Sequence, residues 1–159
     1  GYASGVPMGS ELSGHDPAAA GVRLLINAMK DPIGGNLDRV QVIKGWVDDE
    51  GVSHEKIFNV AWSGDRAVQT DGSLPDVGNT VDISTATYSN SIGAAQLATV
   101  WEDPEFNPEQ AAFYYLRILQ IPTPRHSLYD AIALDLQAAE QLPPTIQERA
   151  YTSPIWYTP

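Results

Sequence analysis

Arg39-Val-Gln-Val-Ile-Lys-Gly-Trp-Val47 is the stretch on which the fold class turns. In an extended chain Val40, Val42 and Trp46 share one face and Arg39 and Gln41 lie opposite, the period of two that marks a half-buried strand. Asp48-Asp-Glu-Gly51 follows, a turn cluster whose glycine can take a positive φ. The next run, Lys56 to Trp62, puts Phe58, Val60 and Trp62 on one side. Two alternating runs across a short turn predict a β-hairpin.

The flanking segments continue the pattern. Upstream, the apolar run Val22 to Ala28 is stopped by Asp31-Pro32 and Gly34-Gly35. Downstream, residues 63–80 have the Gly, Asp, Ser and Pro content of a loop, and Val81 to Tyr88 reads as a weaker strand rich in Thr and Val. Gln96 to Trp101 alternates again, with Leu97, Thr99 and Trp101 together. Asp103-Pro104 and Asn107-Pro108 break the chain before Ala111 to Ile121, the most apolar strand. A single helix is predicted near 127–140. Ser127 is its N-cap, Asp130 stands three residues on, and Tyr129, Ile132, Ala133 and Leu136 follow helical spacing toward Ala139 or Glu140. Pro143-Pro144 ends it, and the tail from Ile146 to Tyr157 reads as a last strand, which Pro154 assigns to a sheet edge. About seven short strands predict a mainly-β chain, a β-sandwich with one helix inserted near the C-terminus. Strands and helices do not alternate as a doubly wound sheet requires. Residues 1–18, dense in Gly, Pro and Ser, read as a linker into a sandwich domain over 19–159.

The chain has 159 residues, the length of one domain. Nine Lys and Arg against twenty Asp and Glu leave a formal charge of −11. That balance argues against nucleic acid, whose phosphates need a basic footprint, and against an anionic membrane surface. Nor does any apolar run approach the ~18 residues of a membrane span. The absence of cysteine excludes disulfides, thiolate metal sites and thiol catalysis. The opening Gly1-Tyr2-Ala3, without Met, reads as a mature or cut piece of a longer protein, periplasmic or secreted.

Few residues form a reactive pattern. His15, His54 and His126 fall in loops or turns without paired metal-ligand spacing and read as surface histidines. No Gly-x-Ser-x-Gly elbow is present. Asp103, Glu105 and Asn107, with Glu109 beyond, alternate oxygen-bearing side chains as in a loop that holds Ca²⁺, so calcium is the one cofactor the sequence suggests; the alternative is a proline-stiffened turn. Trp46, Trp62 and Trp101 end alternating faces and read as core. Trp156 and Tyr157, near the terminus, read as a surface that docks another part of the protein. Arg117 lies inside the most apolar strand and Arg125 behind two prolines. Each is expected to pair with a carboxylate, to face another domain, or to touch substrate.

Several stretches together carry a family resemblance: Gly5-Val-Pro-Met-Gly9, Leu37-Asp-Arg-Val-Gln-Val-Ile-Lys-Gly-Trp46, Asn59-Val-Ala-Trp-Ser-Gly-Asp-Arg66, Asp103-Pro-Glu-Phe-Asn-Pro108, Ala112-Phe-Tyr-Tyr-Leu-Arg117, Ile121-Pro-Thr-Pro-Arg125 and, most specific, Ile146-Gln-Glu-Arg-Ala-Tyr-Thr-Ser-Pro-Ile-Trp-Tyr157. The chain resembles the C-terminal part of the bacterial domain-of-unknown-function family 3604. That resemblance implies a longer, exported parent. Its preceding portion is similar to the PHP-type metal-dependent hydrolases, with the β-sandwich following the catalytic barrel. At His126 the family pattern implies an aromatic residue, so His126 is not carried over as catalytic.

The expectation is therefore a noncatalytic accessory sandwich, partnered by the N-terminal catalytic part of its own parent and holding no cofactor of its own. Arg117, Arg125, Trp156 and Tyr157 are its contact residues. The alternatives are a free-standing carbohydrate- or ligand-binding module that uses exposed aromatics, and a complete hydrolase built on His126, Asp130 and a serine. Fold alone does not choose among them.

Overall fold

In the computed structural model, which describes residues 5–13, 21–137 and 141–159, strand β3 (Leu37–Val47) pairs with its hairpin partner β4 (Ser53–Trp62), the edge of the main sheet. The register runs from Arg39 opposite Trp62 to Val47 opposite Ser53, with a bulge at Val40/Gln41. On its other side β3 pairs antiparallel with β6 (Ala112–Gln120). Beyond β6 lies β10 (Ile155–Thr158), then β1 (Glu11–Ser13), which runs parallel to β10; β9 (Arg149–Tyr151) pairs with the far end of β6. These six strands form one sheet. A second layer is the antiparallel pair of β2 (Arg23–Met29) and β5 (Gln96–Glu102). A small ladder joins β7 (Thr123–Pro124) to β8 (Thr145–Ile146), bracketing α1 (His126–Ala133).

The sandwich architecture follows from alternation. Val22, Leu24 and Ile26 from the β2 side and Leu97 from β5 face Val40, Val42, Tyr114 and Tyr157 of the main sheet, and all are buried. Each such side chain contributes roughly 1.5–3 kcal/mol by leaving water. Trp46, Phe58, Val60, Trp101, Leu116 and Ile118 close around this core. The fold is the expected mainly-β sandwich with one late helix. Among the described residues its strands number ten, four of them only two or three residues long.

Several local expectations differ from the structure. Val81 to Tyr88 is not a strand but a turn closed by the single bridge Asp82–Thr87. Asp82 Oδ1 accepts from Ser84 N at 2.9 Å and from Ser84 Oγ at 2.6 Å, a local alternative that outcompetes the β preference of the threonines and valine. The helix starts earlier, with Arg125 as N-cap and no side-chain cap, so Ser127 sits inside the first turn. It is fixed there by the β7–β8 ladder and by Arg125 N donating to Pro144 O at 2.8 Å. It ends at Ala133 because Asp135 takes φ 53°. Leu128 and Ala131 are buried, so Tyr129, Ile132 and Leu136 face solvent instead of the core. The expected helix end at Ala139 or Glu140 lies outside the described residues. The tail is three strands, and β10 is interior, between β1 and β6. Pro154 falls in the link between β9 and β10, where no ladder N–H is required. Within the segment read as a linker, Glu11–Ser13 forms β1 and Leu12 packs on the core.

Candidate functional site: the outer face of the main sheet

The face of the six-stranded sheet turned away from β2 and β5 carries the alternate residues that the core does not use. Register places Trp156 beside Phe113, Phe113 beside Gly45, and Gly45 beside Glu55. One step along, Tyr115, Ile43 and Ile57 are neighbours, then Tyr151, Arg117 and Gln41. Gly45 is required here by close approach, since a Cβ on it would sit 2.2 Å from the Phe113 ring tip. The aromatic rings form a continuous run. Trp156 and Phe113 lie 5.2 Å apart between centroids, Phe113 and Tyr115 6.2 Å and nearly parallel, and Tyr115 and Tyr151 6.2 Å. Trp156 and Tyr151, the two ends, are 52% and 55% exposed.

At the Trp156 end the run opens into a groove of about 600 Å³ whose walls include Trp46, His54, Phe113 and Trp156. His54 stacks on Trp46 at 5.2 Å, and its Nε2 lies 2.6 Å from Asp48 Oδ2. Asp48 Oδ1 accepts from Val52 N at 2.8 Å and from Glu50 N at 3.1 Å, which closes the hairpin turn. The His54 contact, then the Val52 amide, hold the Asp48 carboxyl below the usual carboxylate range. A lowered folded-state value contributes stability above the unfolded value, and that contribution is lost as pH falls through the lowered one. Asp48→Ala is therefore expected to lower Tm slightly at neutral pH, and to flatten the fall of Tm in acid relative to the parent chain. Melts across the acid range check this; superimposable curves contradict it.

At the opposite end stands Arg117. Its Nε donates to Gln41 Oε1 at 2.8 Å, Gln41 Nε2 donates to Asn59 Oδ1 at 2.9 Å, and Asn59 Nδ2 donates to Gly72 O at 2.9 Å. Arg149 is two residues from Tyr151 and opposite Leu119, hence on the same face. Of the nine basic side chains, Arg23, Arg39, Lys44, Lys56 and Arg66 pair with carboxylates, and Lys30 and Arg125 donate to main-chain carbonyls. Among the described residues neither Arg117 nor Arg149 has a carboxylate partner.

The expected contact residues thus divide. Trp156 and Arg117 sit on the open face, about four strand residues apart along β6, or roughly 13 Å. Tyr157 is buried, its hydroxyl donating to Pro108 O at 2.9 Å and its ring edge-on to Phe106 at 4.9 Å, so it is not part of an exposed patch. Arg125 Nε donates to Pro143 O at 2.9 Å and holds the β7–β8 region. His126 and Asp130 are exposed and 3.9 Å apart. His15 lies outside the described residues.

The expected calcium ligands each have a protein partner. Asp103 Oδ2 accepts from Lys44 Nζ at 2.6 Å and from Tyr114 Oη at 2.7 Å, and its Oδ1 accepts from Glu105 N at 2.9 Å. Glu105 pairs with Lys56, and Asn107 Oδ1 accepts from Glu109 N at 3.0 Å. The cation at Asp103 is the Lys44 ammonium, which also donates to Glu105 O at 2.8 Å. Burial, then the Asp103 contact, push the Tyr114 phenol far above its ordinary value. Among the described residues no three His, Asp or Glu come together as a ligand set.

Two buried networks escaped sequence reasoning. One is Lys44–Asp103–Tyr114. The other centres on Asp38, whose Oδ2 accepts from Arg39 Nε at 2.9 Å and Gln147 Nε2 at 3.0 Å. Arg66 Nη2 lies 2.7 Å from Asp38 Oδ1, an ionic contact outside hydrogen-bond geometry, and donates to Asp38 O at 3.0 Å. The available signal was phase: Lys44 falls in step with the buried Val40 and Val42.

The fold and this face define a β-sandwich module whose basic groups are mostly engaged within it, with an outer face that carries aromatic rings, the Arg117 and Arg149 guanidiniums and the Glu55 carboxylate. The chain belongs to the family described as "Protein of unknown function (DUF3604)", whose model matches residues 1–159. No curated protein and no solved structure matches it. Among the described residues no helix is long and apolar enough to cross a membrane.

Proposed function

We propose that the chain is the noncatalytic β-sandwich part of a larger, exported protein resembling PHP-type metal-dependent hydrolases, and that it supplies recognition rather than bond cleavage. The observation that carries this reading is the division of its side chains. Asp38, Asp103, Lys44, Arg39 and Arg66 bond one another to hold the fold, whereas Trp156, Tyr151, Arg117 and Arg149 stand open on one sheet face. On this reading the metal ligands belong to the preceding portion of the parent, and residues 19–159 follow it as an accessory domain.

The purified chain is expected not to turn over nitrophenyl phosphate, acetate or glycosides, with or without added divalent cations. Turnover that disappears in His126→Ala or His54→Ala overturns the reading. A second reading, a free-standing ligand-binding module, is favoured by the two exposed ring-run ends. The mass of the protein isolated from its source, set against 17.2 kDa for this chain, separates the two.

A further inference from the structure

We infer that the outer face binds an acidic oligosaccharide, with the run Trp156–Phe113–Tyr115–Tyr151 against sugar-ring faces and the Arg117 and Arg149 guanidiniums on its carboxylates. The inference rests on the recognition reading above and names its ligand.

Three observations carry it. The first is the kind of apolar surface. Four aromatic rings follow one another at 5.2 to 6.2 Å between centroids, crossing from β10 to β6, running along β6 and crossing back to β9, beside the aliphatic Ile43 and Ile57. An aromatic face carries negative quadrupole density and attracts the positively polarised C–H groups on the faces of a pyranose. The two exposed rings, Trp156 and Tyr151, lie on the same side of β6, so an extended chain lying along β6 meets both.

The second observation is charge. In a chain of net charge −11, basic groups find carboxylates readily, and five of nine do. Among the described residues Arg117 does not, although it is half-buried in the sheet. Gln41 holds its Nε, which orients the guanidinium, and its two terminal nitrogens have no partner among the described residues. A pre-oriented guanidinium is matched to a carboxylate in bidentate fashion. Arg149 lies diagonally across β6 and β9 from it, close enough for a second contact on the same ligand.

The third observation is extent. The groove beside Trp156 and the arginines beside Tyr151 are separated by roughly 13 Å of β6, long enough for an oligomer and too long for a single sugar. Nucleic acid would need more phosphate contacts than two free guanidiniums in an acidic chain provide.

The test is calorimetric titration of the chain with oligogalacturonate and, as a neutral counterpart, with cello-oligosaccharide. The acidic oligomer is expected to bind, the neutral one to bind more weakly, and the difference to shrink as salt rises. Trp156→Ala and Tyr151→Ala should each weaken binding about tenfold with Tm little changed, because both rings are half exposed. Arg117→Gln should remove the preference for the acidic oligomer while leaving the neutral affinity in place. Gly45→Ala, which forces Phe113 off its seat, should weaken both. Equal affinity for the two oligomers, or unchanged affinity in the Trp156→Ala/Tyr151→Ala double variant, overturns the inference. So does an absence of heat with both, including the case in which the same substitutions release this chain from the rest of its parent; the face is then an interdomain contact. The hydrolysis assays test the accessory reading separately from these titrations.

Discussion

Asp103→Ala will destabilise the chain by about 3–5 kcal/mol, the cost of leaving a buried charge without its partner. The Asp103 side chain is fully buried and that of Lys44 is 4% exposed, so water does not replace the lost contact. The substitution also removes the acceptor of Tyr114 Oη and the partner of Glu105 N. Lys44 keeps only the Glu105 carbonyl. For a chain of this size the fall in Tm is on the order of 10 °C. Asp103→Asn keeps an acceptor oxygen for one of the donors and should recover part of the loss. Lys44→Met/Asp103→Leu removes both charges and should lie closer to the parent chain than Asp103→Ala does, since an apolar pair can replace a buried ion pair at little cost. Denaturant melts of the three variants measure the order. If Asp103→Ala melts within a degree or two of the parent chain, the pair is not buried as described.

Asp38→Ala is expected to produce a loss of the same order, about 3–5 kcal/mol, because one carboxylate serves two arginines. Asp38 is fully buried, and the Arg39 and Arg66 side chains are each 12% exposed. Removing the carboxylate leaves two neighbouring guanidiniums facing each other in a half-dry site. The loss should be spatially uneven. Arg66 also donates to Pro75 O at 2.8 Å and to Ser63 O at 3.0 Å, so it ties residues 63–75 to β3. Hydrogen exchange in Asp38→Ala should therefore rise first at Ser63, whose amide donates to Asp38 O, and later across β6. Uniform acceleration through both sheets would show that the cluster is not a local tether.

The two predictions rest on side chains that the sequence displayed but did not join. Strand β3 was legible because Val40, Val42 and Trp46 repeat at the strand period, and β4, β5 and β6 for the same reason. That period assigns a face and says nothing of what lies across the sandwich. Lys44 and Asp103 are 59 residues apart, and Asp103 stands in the sequence beside Glu105 and Asn107, a spacing that reads as a calcium loop or as a proline-stiffened turn. In the structure Asp103 meets an ammonium from another strand. The three residues of β1 contain one apolar side chain, too few to show a period. The threonines and valine of 81–88 favour a strand, and the Asp82 turn overrode them. The short helix was found, but its apolar stripe pointed the wrong way, because eight residues make two turns and tertiary packing decides which side is covered. On the candidate site, the sequence singles out Trp156 and Arg117 as contact residues, and the structure places both on one sheet face; Tyr115 and Tyr151 join them only through the register of β9 against β6.

The order in which the main sheet is stitched has a consequence for biosynthesis. Among the described residues β1 has one partner strand, β10, and β10 is the strand inserted between β1 and β6. A ribosome that has delivered β3, β4 and β6 has made a three-stranded sheet with β6 as a bare edge, open to any other unpaired strand. The first strand in the sequence cannot take its place until the last has arrived. Contacts of such long sequence separation form slowly. A chain released before Ile155 would keep its hairpin and lose its seam, and it would be an aggregation hazard.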